Sequence, residues 1–467
     1  MSWYSRLRPH VTQGEMEEVR WGNNRVEAQT KEEAAGKKGR IRPGLLLNGT
    51  RRLLGLAPYT YNNTLGRFIF RWCSLAALHT LLTAVWLGTL AITCTVGLVL
   101  LAVSSPTLPQ QQHSTTYELQ LLGVIIIVGC LLNALVNVIS TLVQARSFAT
   151  FFNQWEDLTN TSGLRPDKGL RLVTYVYGVF LYGFVVALVV VALVGAPDLL
   201  LAIGDLLARV LFLLPSSWIY DHPSASIVTR VVVSVVMVQV YLVYKASLLL
   251  FVAVCHLLHN FLQDWRAALH KALDAVWGVE VEVEVGVEVV SLEHLVASHY
   301  QLVNMLRYSE RLFSTTLQFF YGTQVVTLCL ELYLVAYRVG VGAGYQREEA
   351  LWQTLVILQT CSVFLLVSLR ASRVAEEADM CIDVIRRGLP FTATDKDKFH
   401  FGELTVALTA SPICITGGRF FSITRPFIIT VVGAVLSYFV IVLQLKLPAV
   451  VQQRAQLQAA NITTYDD

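Results

Sequence analysis

Charge is what this sequence has least of. Only 15% of its 467 residues are charged, against 54% hydrophobic, and the mean hydropathy is +0.55. Water-soluble domains carry about 25% charged residues, so this composition excludes an ordinary soluble globular protein and indicates a membrane protein. The net charge of +3 is too small for a nucleic-acid footprint, and no nucleic-acid partner is expected. Cysteine is present but badly placed for pairing. Cys94, Cys130, Cys255, Cys329 and Cys361 fall inside apolar runs, and Cys73, Cys381 and Cys414 in basic flanks. With no CxxC spacing, neither a disulfide framework nor a metal site is expected. Enzyme signatures are missing as well: no phosphate-cradling glycine loop, no GxSxG and no HExxH. His256 and His259 stand three apart but have no carboxylate at ligand spacing. No catalytic residue and no cofactor is expected. The first 70 residues hold no short apolar core ahead of a cleavage site, so the first hydrophobic helix is expected to act as its own insertion signal.

What is abundant is long apolar sequence. A helix needs about 20 apolar residues to cross about 30 Å of hydrocarbon. Seven runs qualify, at roughly 75–103, 119–145, 173–196, 229–257, 315–338, 350–370 and 425–447. Only helices or closed barrels satisfy their backbone in lipid, and continuous runs of this length mean helices. The predicted fold class is therefore an all-α membrane protein of seven transmembrane helices.

Basic residues set the expected orientation. Of the 36 Lys and Arg, 29 lie in the N-terminal segment and the 2–3, 4–5 and 6–7 connections. The positive-inside rule then puts the N-terminus in the cytoplasm and the C-terminus outside. A glycosylation triplet, Asn461-Ile462-Thr463, falls in the outer tail, although another, Asn160-Thr161-Ser162, falls on the inner side. The expected organisation is a cytoplasmic N-terminal segment (1–74), spans one to four (75–257) and cytoplasmic helical extensions around "VEVEVEVGVEVV" (258–314). Spans five and six (315–370), cytoplasmic anchor helices (371–424), the last span (425–447) and a short extracellular tail (448–467) follow. Strict alternation in the VEVEVE tract is strand-like, but a lone strand has nothing to pair with, so a loop insertion or helical extension is expected. Between spans six and seven, "RVAEEADMCIDVIRRGL" and "KFHFGELTVALT" read as two separate amphipathic helices, the first broken at Leu389-Pro390.

The last span carries polar residues at a helical repeat. Thr430, Ser437 and Gln444 are seven apart, about 20° from one another around the helix, with Gly433, Ile441 and Leu445 beside them. Tyr438, Phe439 and Val442 make the opposite side bulky. Periodicity alone leaves two readings. Gly433 and Ser437 form a small-xxx-small pair for helix packing, or the stripe lines a pore narrowed by Ile441 and Leu445.

The stretch "TGGRFFSITRPFIITVVGAVLSYFVIVLQL" (416–445) resembles the C-terminal signature of insect gustatory receptors. That signature closes on TYhhhhhQF, where h is hydrophobic. Tyr438 and Gln444 match it, Ser437 replaces Thr and Leu445 replaces Phe. The resemblance implies a ligand-gated, non-selective cation channel, assembled as a homotetramer around a central pore in the plasma membrane of sensory neurons. Gln444 and Leu445 are then expected at the narrow part of the pore, with Ser437 and Ile441 on the same stripe. Na⁺, K⁺ and Ca²⁺ are the expected permeants, a small-molecule tastant such as a sugar the ligand, and lipid the surroundings. An odorant receptor subunit of the same superfamily and a membrane transporter are the alternatives, although no inverted repeat supports the latter.

In that family the ligand pocket opens outward among spans one to six. Gln324, Thr327 and Glu331 fall on one face of span five, and a carboxylate there is costly unless it faces water or a partner. Trp352 and Gln359 are seven apart in span six, with Gln353 adjacent; Trp352 suits an interfacial belt as well as a pocket wall. Tyr182 and Gln239 near the bundle centre complete the ligand candidates. Lys245 is expected to snorkel toward the inner face, and Asn133 and Asn137 to bond across helices.

Overall fold

The computed structural model of the chain describes residues 51–62, 64–103, 114–161, 172, 175–180, 182–187, 223–277, 291–341, 347–390, 393–410 and 413–463. The VEVEVE tract and most of the expected third span lie outside the described residues. The described elements belong to one compact unit, Leu46–Asp467. In chain order they are strands β1 (Tyr59–Asn62) and β2 (Arg67–Phe70), then helices α1 (Leu75–Val103), α2 (Ser114–Val143) and α3 (Ala145–Thr161). Next come α4 (Pro223–Val276), α5 (Leu292–Val341), α6 (Arg347–Ile385) and α7 (Asp395–Ala410). Strands β3 (Thr416–Gly417) and β4 (Phe421–Ser422) precede the last helix, α8 (Arg425–Thr463).

Six of these helices contain stretches long and apolar enough to cross a membrane: Leu75–Leu100, Leu121–Val143, Val231–Val276, Leu292–Ala336, Gln353–Ile385 and Arg425–Gln444. Of the expected third span, Tyr175–Ala187 is helical and apolar but shorter. Helices α4, α5 and α6 are far longer than the about 30 Å hydrocarbon layer requires at 1.5 Å per residue, so they project beyond it.

At one end their projections build a common base. Leu258, Leu262 and Leu269 of α4 pack with Leu295, Leu302 and Met305 of α5, with Val374, Ala378 and Cys381 of α6, and with Leu404 and Leu408 of α7. Trp265 Nε1 donates to the Leu295 carbonyl at 3.1 Å, and Arg266 Nε pairs with buried Glu377 at 2.9 Å. The base corrects one sequence expectation. "RVAEEADMCIDVI" is not a separate helix but the continuation of α6, because residues 371–385 contain neither Gly nor Pro to stop it. The helix ends before Leu389-Pro390, where Gly388 adopts φ +75° and its N–H donates back to the Ile385 carbonyl at 3.0 Å.

Before α1, β1 and β2 pair antiparallel, Tyr59 opposite Phe70 and Asn62 opposite Arg67. Asn153 of α3 grips β2 with both halves of its amide. Phe68 N–H donates to Asn153 Oδ1 at 2.8 Å, and Asn153 Nδ2 donates to the Phe68 carbonyl at 3.1 Å. Arg51 is fully buried beneath this hairpin. It donates to the Tyr59 hydroxyl at 2.9 Å and lies 5.2 Å from the Phe148 ring centroid. Burial pulls its pKa down from the ordinary guanidinium value and pushes the Tyr59 hydroxyl up.

The β3–β4 hairpin clips the start of α8 to α5. Gly418 N–H donates to the Ser314 carbonyl at 3.1 Å, and the Thr416 hydroxyl donates to Glu310 Oε1. Phe421 stacks on Phe427 of α8, with centroids 4.7 Å apart and rings 7° from parallel. Gly418 has φ +62°, and a Cβ there would run into the Gln318 side-chain amide. Gly418→Ala is therefore expected to cost about 1–3 kcal/mol through left-handed strain and that collision. Gly322→Ala, at a position with no neighbour within 4 Å of an added Cβ, should leave stability unchanged or slightly raised. Thermal unfolding of the two purified variants in detergent checks the contrast.

Candidate functional site

Two features stand out among the crossing helices: a polar seam joining α2, α4, α5 and α6, and a last helix with little cover.

An apolar bundle tolerates polar side chains when they meet partners. Gln324 of α5 is buried and uses both ends of its amide on the protein. It accepts from the Tyr244 hydroxyl of α4 at 3.1 Å and donates to the Thr360 carbonyl of α6 at 3.0 Å. Seven residues on, Glu331 is also buried; its Oε1 accepts from the Thr360 hydroxyl at 3.2 Å. Its Oε2 is buried without a hydrogen-bond partner. Gln353 donates to the Glu331 carbonyl at 3.4 Å, and Gln359 donates to the Tyr241 hydroxyl. From α2, Asn133 donates to the Thr323 hydroxyl and Asn137 to the Tyr244 carbonyl, the latter at 3.2 Å.

Lys245 does not snorkel, which corrects the sequence expectation. It is 4% exposed, and its Nζ lies 4.3 Å from the Tyr244 ring centroid and 5.5 Å from that of Tyr241. Two aromatic faces supply the cation with negative potential where water is absent. Lys245 and Glu331 make no direct ion pair, yet each lies within the other's field.

The seam brings Gln324, Glu331, Gln353 and Gln359 together around α5 and α6. Gln324 and Gln359 act as struts between helices, while Glu331 keeps one free oxygen. Thr327 is half-buried on the same face of α5, and Gln239 is half-buried on α4. Tyr182 is half-buried on the Tyr175–Ala187 helix, and its hydroxyl is buried without a partner. Trp352 has its backbone in α6; its side chain lies outside the described atoms, as does that of Leu445 in α8. Sequence reasoning passed over Tyr241, Tyr244, Thr323 and Thr360. The spacing held a signal for two of them: Tyr241 and Tyr244 precede Lys245 by four residues and one, so an unpaired cation had aromatic neighbours on its own helix.

Helix α8 is docked by a single stripe. Ile428, Val435 and Val442, seven apart, are buried on the chain's core side, and the helix as a whole lies mainly against α5. Only 17% of the apolar stretch of α8 is buried, against 67% for α4. Ser437 and Gln444 are exposed, and Ile441 is 53% exposed. Gly433 has no atom within 4 Å of the place a Cβ would occupy, so the Gly433/Ser437 pair packs against no helix of its own chain among the described residues.

The chain matches a family model described as "7tm Chemosensory receptor" over residues 46–447. Gustatory receptor family protein 3 of Caenorhabditis elegans is 29% identical over 158 residues, covering 32% of this chain and 34% of that protein. The chain thus aligns with about a third of that relative's length. Among solved structures, the insect olfactory receptor OR5 from Machilis hrabei has a TM-score of 0.57, and the same receptor in complex with eugenol 0.60. Each is 16% identical and covers 85% of this chain and 97% of its own. At that identity the likeness shows the fold.

The seam generates a coupling prediction. Lys245→Met leaves Glu331 a buried charge without its compensating field, and Glu331→Leu leaves the ammonium likewise; each single change is expected to destabilise. The double variant should recover part of the loss, with a coupling of about 0.5–3 kcal/mol. A double-mutant cycle on detergent-solubilised protein measures it, and additive losses would show that the two charges do not interact.

Proposed function

Because the chain belongs to the 7tm chemosensory receptor family, we propose that it is a gustatory-type receptor, a tastant-gated, non-selective cation channel in the plasma membrane of sensory neurons. The observation that carries this reading is the exposure of α8. An apolar helix held by one stripe, with Ser437, Ile441 and Gln444 all uncovered, suits a helix completed by other copies of the chain and by a pore. Four copies around an axis bring four Gln444 amides together. Uncharged amides replace part of an ion's hydration shell without a fixed charge, which suits weak selection among Na⁺, K⁺ and Ca²⁺. Ile441 and Leu445 form the hydrophobic narrowing.

In this reading seven spans cross the membrane, with the N-terminus cytoplasmic, the C-terminus outside and the helical base in the cytoplasm. A small molecule, a sugar among the candidates, binds in the outer half near Glu331, Thr327, Gln353, Trp352 and Tyr182. Gln324 and Gln359 transmit its effect by linking α5 to α4 and α6. The β3–β4 clip and the Ile428/Val435/Val442 stripe pass a shift of α5 to α8. The ligand opens the pore only to the extent that it binds the open state better. The likeness to a solved olfactory receptor, one form of it with eugenol, favours a second reading, an odorant receptor subunit.

Expression of this chain alone in oocytes, with a tastant panel, tests the reading. Currents from the single chain are the expected result; currents that need a second subunit favour the odorant reading. Gln444→Glu should raise the permeability of Ca²⁺ relative to Na⁺ by placing a ring of carboxylates at the narrowing. A reversal potential unmoved by Gln444→Glu and Gln444→Leu alike sinks the pore assignment.

A further inference from the structure

A cavity of about 260 Å³ lies where the β3–β4 hairpin meets α5, away from both features described above. Arg311, Ser314, Thr315 and Gln318 of α5 form one wall, and Arg419 of the hairpin closes the other. Arg311 and Arg419, both exposed, line the cavity from different elements. Neither makes an ion pair or a hydrogen bond among the described residues, whereas the next cation, Arg425, is fully committed. Its two contacts to Glu376 of α6 are 2.5 and 2.6 Å. Glu310 is the one acidic residue in the wall, and its Oε1 already accepts the Thr416 hydroxyl proton.

Arg419 is also held in an unusual conformation. Its φ of +63° follows directly on Gly418 at +62°, and Arg419 is the one non-glycine residue with positive φ among the described residues. In that region the Cβ of an L-residue crowds the following carbonyl, so the conformation persists only where the surroundings hold it. The Gly418–Ser314 and Thr416–Glu310 bonds hold the hairpin against α5, so the Arg419 side chain leaves its backbone in a set direction there.

The cavity also sits at a particular level. The crossing stretch of α8 begins at Arg425, six residues after Arg419, and in the sequence reading the fifth apolar run starts at Thr315. In the proposed orientation this places the cavity near the depth of lipid phosphates, at the end of the bundle where the basic connecting segments lie. Basic pockets at that level and on that side recognise phosphorylated headgroups.

We propose that this cavity binds a phosphorylated inositol ring, with a phosphate monoester bridging Arg311 and Arg419 and the ring hydroxyls meeting Ser314, Thr315 and Gln318. The ring has two sources, a membrane phosphoinositide or a soluble inositol phosphate. Guanidinium forks match phosphate oxygens in pairs, which a single lysine does not do. Bound there, the phosphate adds a bridge between α5 and the hairpin that leads into α8.

The test uses the full chain in nanodiscs of phosphatidylcholine alone, or with phosphatidylserine or phosphatidylinositol bisphosphate added, and native mass spectrometry to count retained lipid. The expected result is selective retention of the bisphosphate, weakened about tenfold by Arg311→Gln and again by Arg419→Gly. Glycine is at ease at positive φ, so Arg419→Gly removes the charge without endangering the turn. Displacement of the lipid by soluble inositol trisphosphate at equal concentration assigns the site to the soluble source; resistance assigns it to the bilayer. Equal retention by wild type and the double variant overturns the proposal, as does retention no better than that of phosphatidylserine. The readout is binding, so it stands or falls apart from any current.

Discussion

Helix α5 is fixed on two levels by polar bonds in surroundings where such bonds are hard to exchange. In the crossing region Gln324 ties it to the Tyr244 hydroxyl of α4 and the Thr360 carbonyl of α6, and Glu331 adds a second tie to Thr360. At the base, Ser314 and Glu310 receive the β3–β4 hairpin. In water such bonds are each worth only about 1 kcal/mol net, because water replaces them. Within an apolar bundle no replacement stands by, and breaking one leaves an unpaired group. Displacements of α5 are therefore steered: it can slide only where its partners slide with it.

The seam also accounts for the buried charges. A lysine and a carboxylate are expensive in the interior unless each finds compensation. Lys245 finds two tyrosine faces, and Glu331 finds one hydroxyl and the field of Lys245. The compensation is incomplete at Glu331 Oε2. Asn137 Oδ1 and the Tyr182 hydroxyl are likewise buried without a hydrogen-bond partner, but Glu331 Oε2 is the only carboxylate oxygen among these three. In the proposed function this makes Glu331, rather than the fully bonded Gln324, the point of contact for a ligand.

Much of this architecture was legible in the sequence. The apolar runs announced the crossing helices because length and hydropathy are properties of single segments. Gln324 and Glu331 stood out because a seven-residue spacing puts them on one face. The partners did not stand out. Which hydroxyl meets Gln324 depends on how α4 and α6 rotate against α5, and no single helix encodes that. The same holds for Asn153, whose grip on β2 spans 85 positions of sequence. The continuity of α6 is hidden in the sequence for a different reason. The change from apolar to charged residues near Ala371 is a change of surroundings and not a helix end, and composition alone does not separate the two.

Helix α8 shows where a periodicity reading needed three dimensions. From spacing, the Gly433/Ser437 pair suited close packing as well as it suited a wet face. Among the described residues that pair meets no other helix, and the buried stripe is instead Ile428, Val435 and Val442. The stripe lies toward α5, so α8 is anchored to the one helix whose polar ties were described above, with the Phe421–Phe427 stack at its start. A helix anchored along one edge and bare elsewhere moves when that edge moves. Its bare faces are then free to meet neighbours or ions without disturbing the core of their own chain. That separation lets the polar stripe of α8 vary, as Leu445 varies from the Phe of the gustatory signature, while the packing stripe holds the helix in register.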